Sequence, residues 1–256
     1  DLAQRLSNEH DFPMEMVFNS MEEMIAAVKP EAVAGFGNIY NHLAIVETCA
    51  PKGIHVMVEK PLAVSLEHAQ KMEALAKKHK IHLLTNYETS WYPTNLIGVS
   101  PEFLNFLTDP KLNGGGAIMD FGCYGANLMT WLQQGKRPNS VTAVTQQLQP
   151  ENNPKVDDDA TIILTYDSAM AILEPSWNWP IGRKDMEIYG VKGAIYADNR
   201  HDLRLRISAG YSGYKEEAFK LGERDTPYDE PFALFASVIR GETTLGSYDP
   251  YSLENN

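Results

Sequence analysis

The segment IHVMVEKP occupies residues 54–61, and it decides how the surrounding sequence is interpreted. Its first five residues form a mainly apolar, β-branched run, which predicts a strand over 54–58. A helix is predicted to follow from Ser65 to about His79. A strand that ends in a charged pair and a proline before a helix is typical of a crossover in a parallel sheet. Ligands of such sheets bind beyond the carboxyl ends of the strands, so Lys60 is either near a ligand or simply a surface lysine.

The composition of the 256 residues excludes several classes of function. Apolar residues make up 43%, enough for a substantial core in one or two domains. The 34 acidic and 22 basic residues give a net charge of -12, so we expect no nucleic-acid partner. No apolar stretch approaches the ~20 residues of a membrane span, so we expect no membrane association. Cys49 and Cys123 are far apart and are expected to be reduced, buried thiols.

Helices and strands alternate through the first third of the chain. Strands are predicted over 14–18, 32–36, 54–58 and 81–85. Helices are predicted over 1–9, from the Asn19-Ser20 cap to Val28, from the glycine loop to about Ala50, and over 65–79. Alternation at this spacing predicts an α/β fold, with a Rossmann-type doubly wound parallel sheet. We assign residues 1–88 to this dinucleotide-binding domain.

The pattern changes to α+β beyond residue 88. A long helix is predicted over 117–133 and a shorter one over 231–240. Strands are predicted over 140–148, 159–166, 169–177, 185–190, 193–197 and 203–208. Short polar turns join these strands, which predicts a large, mainly antiparallel open sheet. We assign residues 89–256 to a substrate-binding and oligomerisation domain, and the open sheet predicts a homodimer or homotetramer.

The ends of the sequence resemble interrupted elements. Residues 1–6 have the pattern of a helix interior without a cap, so we expect further residues before Asp1. We also expect residues after Asn256 and a gap near 95–97. The expected compartment is the cytoplasm, with export left open because the true amino terminus is not visible.

The loop after the second predicted strand begins like a dinucleotide fingerprint, Gly35-Phe36-Gly37. Tyr40 stands where the third glycine would be, and a predicted strand–helix unit precedes the loop. We therefore interpret it as a later strand-to-helix loop that can still touch a cofactor. Asn38 either caps the helix or contacts the ligand. His42, one turn further, is assigned to packing or capping ahead of direct chemistry.

The segment GGGAIMDFGCY at residues 114–124 is the second pattern that indicates a site. Three glycines before a helix allow the backbone to approach another group closely. Asp120 and Tyr124 are four residues apart, so both project from one helix face. An aspartate at a helix start beside a tyrosine packed between domains is the alternative to a catalytic pair. A carboxylate among apolar neighbours is costly to bury unless it has a partner, however.

Taken together, residues 59–61 and 114–124 give the chain a resemblance to the Gfo/Idh/MocA oxidoreductase family over nearly its whole length. The resemblance implies NAD or NADP as cofactor and hydride transfer to or from a CH–OH group of a sugar, cyclitol or related polyol. It also implies that Lys60 lies beside the nicotinamide, with a bond to Pro61 that is often cis. Tyr124, four residues after Asp120, places the chain in the subgroup that uses a tyrosine as acid/base.

The resemblance implies a cofactor site made of Gly37, Asn38, His42, Glu59, Lys60 and Pro61. The family's Thr-Pro-Asn-x-x-His loop corresponds to residues 37–42, where Asn38 is shifted by one position. Glu59 either fixes the lysine and the strand end or faces solvent. The Gly-rich fingerprint is absent from this sequence, as is the residue that selects NAD or NADP. No metal site is expected.

The implied chemistry gives roles to the remaining candidates. A free phenol titrates near pH ~10, and the ammonium of Lys60 would favour the phenolate of Tyr124. Lys60 would also stabilise a developing alkoxide, and the proton could pass through either group. Asp120 would accept a hydrogen bond from a substrate hydroxyl or orient Lys60. Trp177 and Tyr87 either contact the substrate or pack in the core, and Trp91 and Tyr92 share that ambiguity.

Two other functions remain open at the level of sequence. One is a non-catalytic, dinucleotide-sensing regulator of the same fold, which could lose the lysine or the acid/base. The other is an NAD-dependent glycosidase, which would release free sugar without net formation of reduced cofactor.

Overall fold

The computed structural model of the protein describes residues 2–87 and 106–256. Trp91, Tyr92 and the expected gap near 95–97 lie outside the described residues. The expectations attached to them stay predictions.

The first described part builds a three-stranded parallel sheet in the order β1-β2-β3. The strands are β1 (Ala32–Gly35), β2 (His55–Glu59) and β3 (Leu83–Asn86). The helices are α1 (Leu2–His10), α2 (Met21–Val28), α3 (His42–Cys49) and α4 (Leu66–His79). The side chains of Val56 and Met72 are 0% exposed in the core between sheet and helices. The predicted Rossmann-like α/β arrangement is confirmed.

The helices that flank this sheet begin at hydroxyl caps. The Ser20 hydroxyl accepts from the Glu23 amide at 3.1 Å, and the Ser65 hydroxyl accepts from the His68 amide at 3.2 Å. Each bond satisfies one of the amide groups that a helix start leaves without an intrahelical partner. The predicted start of α4 is therefore set by its own sequence.

The predicted strand over 14–18 is wrong. Met14–Met16 form a single 3-10 turn that begins after Pro13 in extended conformation. Apolar character favours a strand only where a neighbouring strand can complete the ladder, and no described strand pairs with this segment. Met16 accordingly remains 53% exposed.

The long helix predicted over 117–133 is interrupted. It consists of α5 (Ala117–Asp120) and α6 (Gly122–Leu132), which meet at Phe121. The Tyr124 amide donates to the Phe121 carbonyl at 3.1 Å instead of continuing the α-helical ladder from residue 120. The Asp120 carbonyl is thereby released from helical hydrogen bonding.

The antiparallel region predicted beyond residue 140 is confirmed, and its described strands form two sheets. The first contains β4 (Ser140–Gln146), β5 (Asp159–Thr165) and β6 (Met170–Leu173). The second has the order β10-β9-β8-β7, with β7 (Met186–Gly190), β8 (Gly193–Ala197), β9 (Asp202–Ser208) and β10 (Tyr214–Lys220). Strand β10 was not predicted, because an edge strand carries charges on its open side and lacks a clear apolar alternation.

The end of the chain returns to the parallel sheet. Helix α7 (Pro231–Ile239) buries Leu234 and Phe235 against Met57 and Leu84 of the sheet. The parallel sheet is thus covered on both faces, which leaves the carboxyl ends of its strands as the route to a ligand. The division of the chain at residue 88 stays a prediction.

Candidate active site

Lys60 lies directly beyond the carboxyl end of β2. Its amide donates to the Asn86 carbonyl at the end of β3 at 3.0 Å, which fixes the backbone where the strand stops. The bond between Lys60 and Pro61 is cis, as the resemblance implied. The Lys60 side chain is 17% exposed and reaches toward the second half of the chain.

The Lys60 ammonium binds Asp120 twice. It donates to the Asp120 backbone carbonyl at 2.9 Å, and it forms a salt bridge with Oδ1 of the carboxylate. The interruption at Phe121 makes the first of these bonds available. The second carboxylate oxygen, Oδ2, accepts from the indole N–H of Trp177 at 2.9 Å. Both carboxylate oxygens of Asp120 are therefore occupied by protein groups.

The pair keeps Lys60 in its charged form. Burial lowers the pKa of Lys60, but the Asp120 carboxylate and the Tyr124 phenol together outweigh burial and raise the pKa well above its ordinary value. The side chain is consequently an ammonium throughout the neutral range, with two of its three N–H groups directed at Asp120.

Tyr124 lies close to two cations. The Lys60 ammonium is 4.9 Å from the centroid of its ring, and the Lys184 ammonium is 5.0 Å away. Both are within the range of a cation–π contact. Lys184 was not singled out from the sequence, because it precedes β7 at a position that shares no motif with residues 59–61 or 114–124. Lys60, Asp120 and Tyr124 are thus brought together, as their assignment to one site required.

Tyr87 lies beside Tyr124 and is buried. The two rings meet edge to face with centroids 5.3 Å apart, and Tyr87 is only 5% exposed. Its side chain hydrogen-bonds with Asn127, and burial raises its pKa well above the ordinary value for tyrosine. Of the two roles weighed for Tyr87, this environment favours packing over contact with a substrate.

The residues of the first glycine loop have divided roles. A side chain added at Gly37 would meet nothing within 4 Å. The Asn38 side chain caps the turn that follows by accepting from the Asn41 amide at 3.2 Å. His42 is fully buried, and its Nδ1 lies 3.1 Å from the carbonyl of Leu62. Burial lowers the pKa of His42, so the ring is neutral and helps to fix the segment that follows Lys60.

Glu59 fixes the end of the strand. Its Oε1 accepts from the side-chain Nδ2 of Asn86 at 2.6 Å, across the carboxyl ends of β2 and β3. The Glu59 carboxylate therefore does not simply face solvent, which was the alternative role.

The glycines at 114–116 approach protein backbone. A Cβ added at Gly116 would lie 1.8 Å from the carbonyl oxygen of Asp157. The Asp157 carboxylate accepts from the amides of Gly116 at 3.1 Å and Ile118 at 2.7 Å, and so caps α5. The close approach inferred from the sequence is real, and its partner is the loop before β5.

A buried carboxylate near Trp177 was missed by the sequence analysis. Asp158 is 0% exposed and accepts from the amides of Leu148 at 2.7 Å and Gln149 at 2.8 Å, and from the side chains of Asn153 and Asn178. Burial alone would raise the pKa of Asp158, but these donors hold it below its ordinary value. Three consecutive aspartates at a strand start are the signal that could have indicated such a role.

Within the described residues, 2–87 and 106–256, no three or more His, Cys, Asp or Glu side chains are grouped so that they could hold a metal ion. No helix in these ranges has the length and apolar character that crossing a bilayer requires.

Two family models match the sequence, and together they cover residues 2–196. "Oxidoreductase family, NAD-binding Rossmann fold" matches residues 2–87, and "GFO/IDH/MocA C-terminal domain" matches residues 81–196. Trans-1,2-dihydrobenzene-1,2-diol dehydrogenase of Xenopus tropicalis is 28% identical over 214 residues, which cover 75% of this chain and 62% of the frog protein. The chain thus spans less than two thirds of that relative.

Solved structures share the fold at lower sequence identity. Aldose-aldose oxidoreductase from Caulobacter crescentus, complexed with glycerol, is 20% identical with a TM-score of 0.74, covering 98% of this chain and 82% of that one. An inositol dehydrogenase homolog from Azotobacter vinelandii, complexed with NAD+, is 16% identical with a TM-score of 0.71, covering 99% and 72%.

The fold and the matched models place the chain in an oxidoreductase family with an NAD-binding Rossmann fold. More narrowly, the chain belongs to the Gfo/Idh/MocA family.

Proposed function

We propose that the protein is an NAD(P)-dependent dehydrogenase or reductase that acts on a CH–OH group of a sugar, cyclitol or related polyol. The observation that carries this proposal is the meeting of Lys60, Asp120 and Tyr124 beyond the carboxyl end of β2. An ammonium held by a carboxylate beside a phenol is suited to stabilise an alkoxide and to move a hydroxyl proton. The names of the diol dehydrogenase and the sugar-related structures add support for this class of substrate.

The residues present suit the nicotinamide end of a dinucleotide. The space beside Gly37 is open, and the buried side-chain oxygen of Asn86 accepts no hydrogen bond from the described residues. Lys60 and Asn86 lie at the ends of neighbouring strands, where the amino group of a carboxamide could donate to the side-chain oxygen of Asn86. We assign the holding of this end to Gly37, Glu59, Lys60, Pro61 and Asn86. When bound, the nicotinamide would accept or supply the hydride.

The chain's own groups would handle charge and the proton. The third N–H of the Lys60 ammonium would donate to the substrate oxygen and stabilise negative charge on it. The raised pKa of Lys60 makes its ammonium a poor acid and leaves almost no free amine to accept a proton, which favours Tyr124 as the group that takes or gives the hydroxyl proton.

Asp120 has the role of orienting Lys60. Its two carboxylate oxygens already accept from Lys60 and Trp177, so direct binding of a substrate hydroxyl would require one of these bonds to break. These contacts favour the orientation of Lys60 over direct substrate binding, the two roles that the sequence left open for Asp120.

A two-stage experiment tests the proposal. Titration with NADH and NADPH, followed by the fluorescence of the bound cofactor, should show saturable binding of at least one of them. A panel of aldoses and cyclitols with the oxidised cofactor should then yield reduced cofactor. Binding without turnover on any substrate would indicate a regulator, and release of sugar from glycosides without net reduced cofactor would indicate a glycosidase. Absence of binding would refute the proposal.

We also propose that the protein is a cytoplasmic homo-oligomer. Ile195, Ile207 and Phe219 lie on one face of the sheet β7–β10 by their register and are 36–46% exposed. Association through this face would remove apolar surface from water. Both cysteines are free, as suits a reducing compartment. Light scattering should give a multiple of the monomer mass, and Ile207→Lys should reduce it; a monomer at all concentrations would contradict the assembly.

A further inference from the structure

Trp177 has an environment that a sugar-stacking residue does not need. Its indole N–H points at Oδ2 of Asp120 at 2.9 Å, and the carboxylate's other oxygen faces Lys60. A carboxylate can rotate about its Cα–Cβ and Cβ–Cγ bonds, so a second, charge-assisted bond restricts which oxygen the ammonium meets. The indole therefore limits the positions available to the Lys60 ammonium.

The segment that carries Trp177 is itself fixed by a buried carboxylate. The Trp177 amide donates to the Asp158 carbonyl at 2.9 Å. The neighbouring Asn178 side chain donates to the same carbonyl at 3.0 Å and to the Asp158 carboxylate at 3.1 Å. Asp158 is in turn held by two backbone amides and by Asn153. The backbone beneath the indole is thus tied down on both sides.

The preceding residue fixes the other partner of the bond. Asp157 caps the start of α5 through the amides of Gly116 and Ile118, and its carbonyl accepts from the Ala117 amide at 3.0 Å. Helix α5 ends at Asp120. Two adjacent aspartates therefore hold the two elements that meet in the Trp177–Asp120 bond.

We infer that Trp177 is a positioning residue, whose indole N–H fixes the Asp120 carboxylate so that it presents Lys60 to the substrate. Asp157 and Asp158 set the distance over which this bond forms. The inference rests on the proposed function for its effect on turnover, but the bond itself is independent of activity.

The first arm of the test measures the bond in the full-length protein without substrate. The chain has four tryptophans, so its ¹⁵N–¹H spectrum has four indole N–H signals, and Trp177→Phe identifies one of them. Should that variant not fold, Phe substitutions at the other three tryptophans identify it by elimination. The Trp177 signal should exchange with water more slowly than that of Trp131, which is 39% exposed, and should move on Asp120→Asn. An unmoved signal, or exchange as fast as that of Trp131, would overturn the inference.

The second arm measures turnover. Phenylalanine keeps an aromatic ring for stacking but removes the N–H donor. Trp177→Phe should therefore lower kcat by about tenfold or more, since the loss is that of a hydrogen bond to a charged group, with a much smaller change in KM and in cofactor binding. Trp131→Phe is the matched control and should keep wild-type kcat. A raised KM at unchanged kcat would instead identify Trp177 as a substrate-binding residue and overturn the positioning role.

The two arms separate the possible failures. A protected, Asp120-sensitive indole signal in a protein without dehydrogenase activity would leave the contact standing and remove the proposed function. Turnover that is unaffected by Trp177→Phe would remove the positioning role and leave the proposed function standing.

Discussion

Replacing Asp120 by asparagine tests the buried ion pair most sharply, because it removes a charge while keeping the size of the side chain. The side chains of Lys60 and Asp120 are only 17% and 12% exposed. Removing one partner of a buried pair leaves an uncompensated charge, which typically costs about 3–5 kcal/mol of stability. The Asp120 carbonyl still accepts from Lys60, so we expect a loss of about 3 kcal/mol in the free energy of unfolding at pH 7.

The loss should depend on pH in a defined direction. In the wild type the pKa of Lys60 is raised above its unfolded value, so the pair's contribution is complete below pH ~10.4 and falls as pH rises through the folded value. In the variant, burial lowers the pKa of Lys60 below the unfolded value. As pH rises, Lys60 of the variant loses its proton and with it the buried charge. The difference in free energy of unfolding between wild type and variant should therefore narrow from pH 7 to pH 10.

Urea unfolding at several pH values measures the effect. Glu67→Gln is the matched control, because it removes an ion pair with Lys71 in which both side chains are more than half exposed. That variant should unfold like the wild type, since exposed pairs contribute little. Adding Lys60→Met to Asp120→Asn removes the stranded charge and should restore part of the lost stability. A small, pH-independent loss in Asp120→Asn, without recovery in the double variant, would refute a charged buried Lys60.

Three further predictions concern the surroundings of the site. Gly116→Ala should lower the free energy of unfolding by about 2 kcal/mol or more in a urea titration, because the added Cβ would lie 1.8 Å from a carbonyl oxygen. Gly182→Ala is the control and should be neutral, because a Cβ added there has no atom within 4 Å. Asp158→Asn should destabilise the protein at pH 7. The lowered pKa of Asp158 gives the wild type stability that is complete above pH ~3.9 and is lost as pH falls through the folded value. In acid-induced unfolding, the stability of the variant should therefore depend less on pH than that of the wild type. Burial raises the pKa of Cys123 to about 12, so the folded protein should react with a thiol reagent at pH 8 far more slowly than the unfolded chain, and equal rates would contradict this burial.

Local sequence patterns predicted most of the fold. The apolar run before Lys60, the hydroxyl cap at Ser65 and the alternation of short strands with helices each act within a few residues, so they could be interpreted without knowledge of tertiary contacts. The strand predicted over 14–18 failed because a strand depends on a partner elsewhere in the sheet. Strand β10 was missed for the related reason that an edge strand is defined by its neighbour more than by its own composition.

The sequence predicted which residues form the candidate site better than it predicted the bonds between them. The four-residue spacing of Asp120 and Tyr124 predicted that both side chains reach one site, and both contact Lys60, although they lie on two helices that meet at Phe121. The interruption at Phe121, which turns the Asp120 carbonyl toward Lys60, has no local signal such as proline. The bond from Trp177 to Asp120 joins groups 57 residues apart and depends on how the antiparallel strands pack on α5. Such contacts are set by tertiary packing, which a single sequence does not report.

The turnover of the Lys60→Ala, Tyr124→Phe and double variants tests most directly whether the two groups act on one reaction. Each single variant should lose about 100-fold or more in kcat while it keeps a cooperative unfolding transition. Groups that act as a unit are not additive, so the double variant should be only slightly slower than the slower single one. Near-wild-type turnover in either single variant, or losses that multiply fully in the double variant, would contradict a shared centre formed by this ammonium and this phenol.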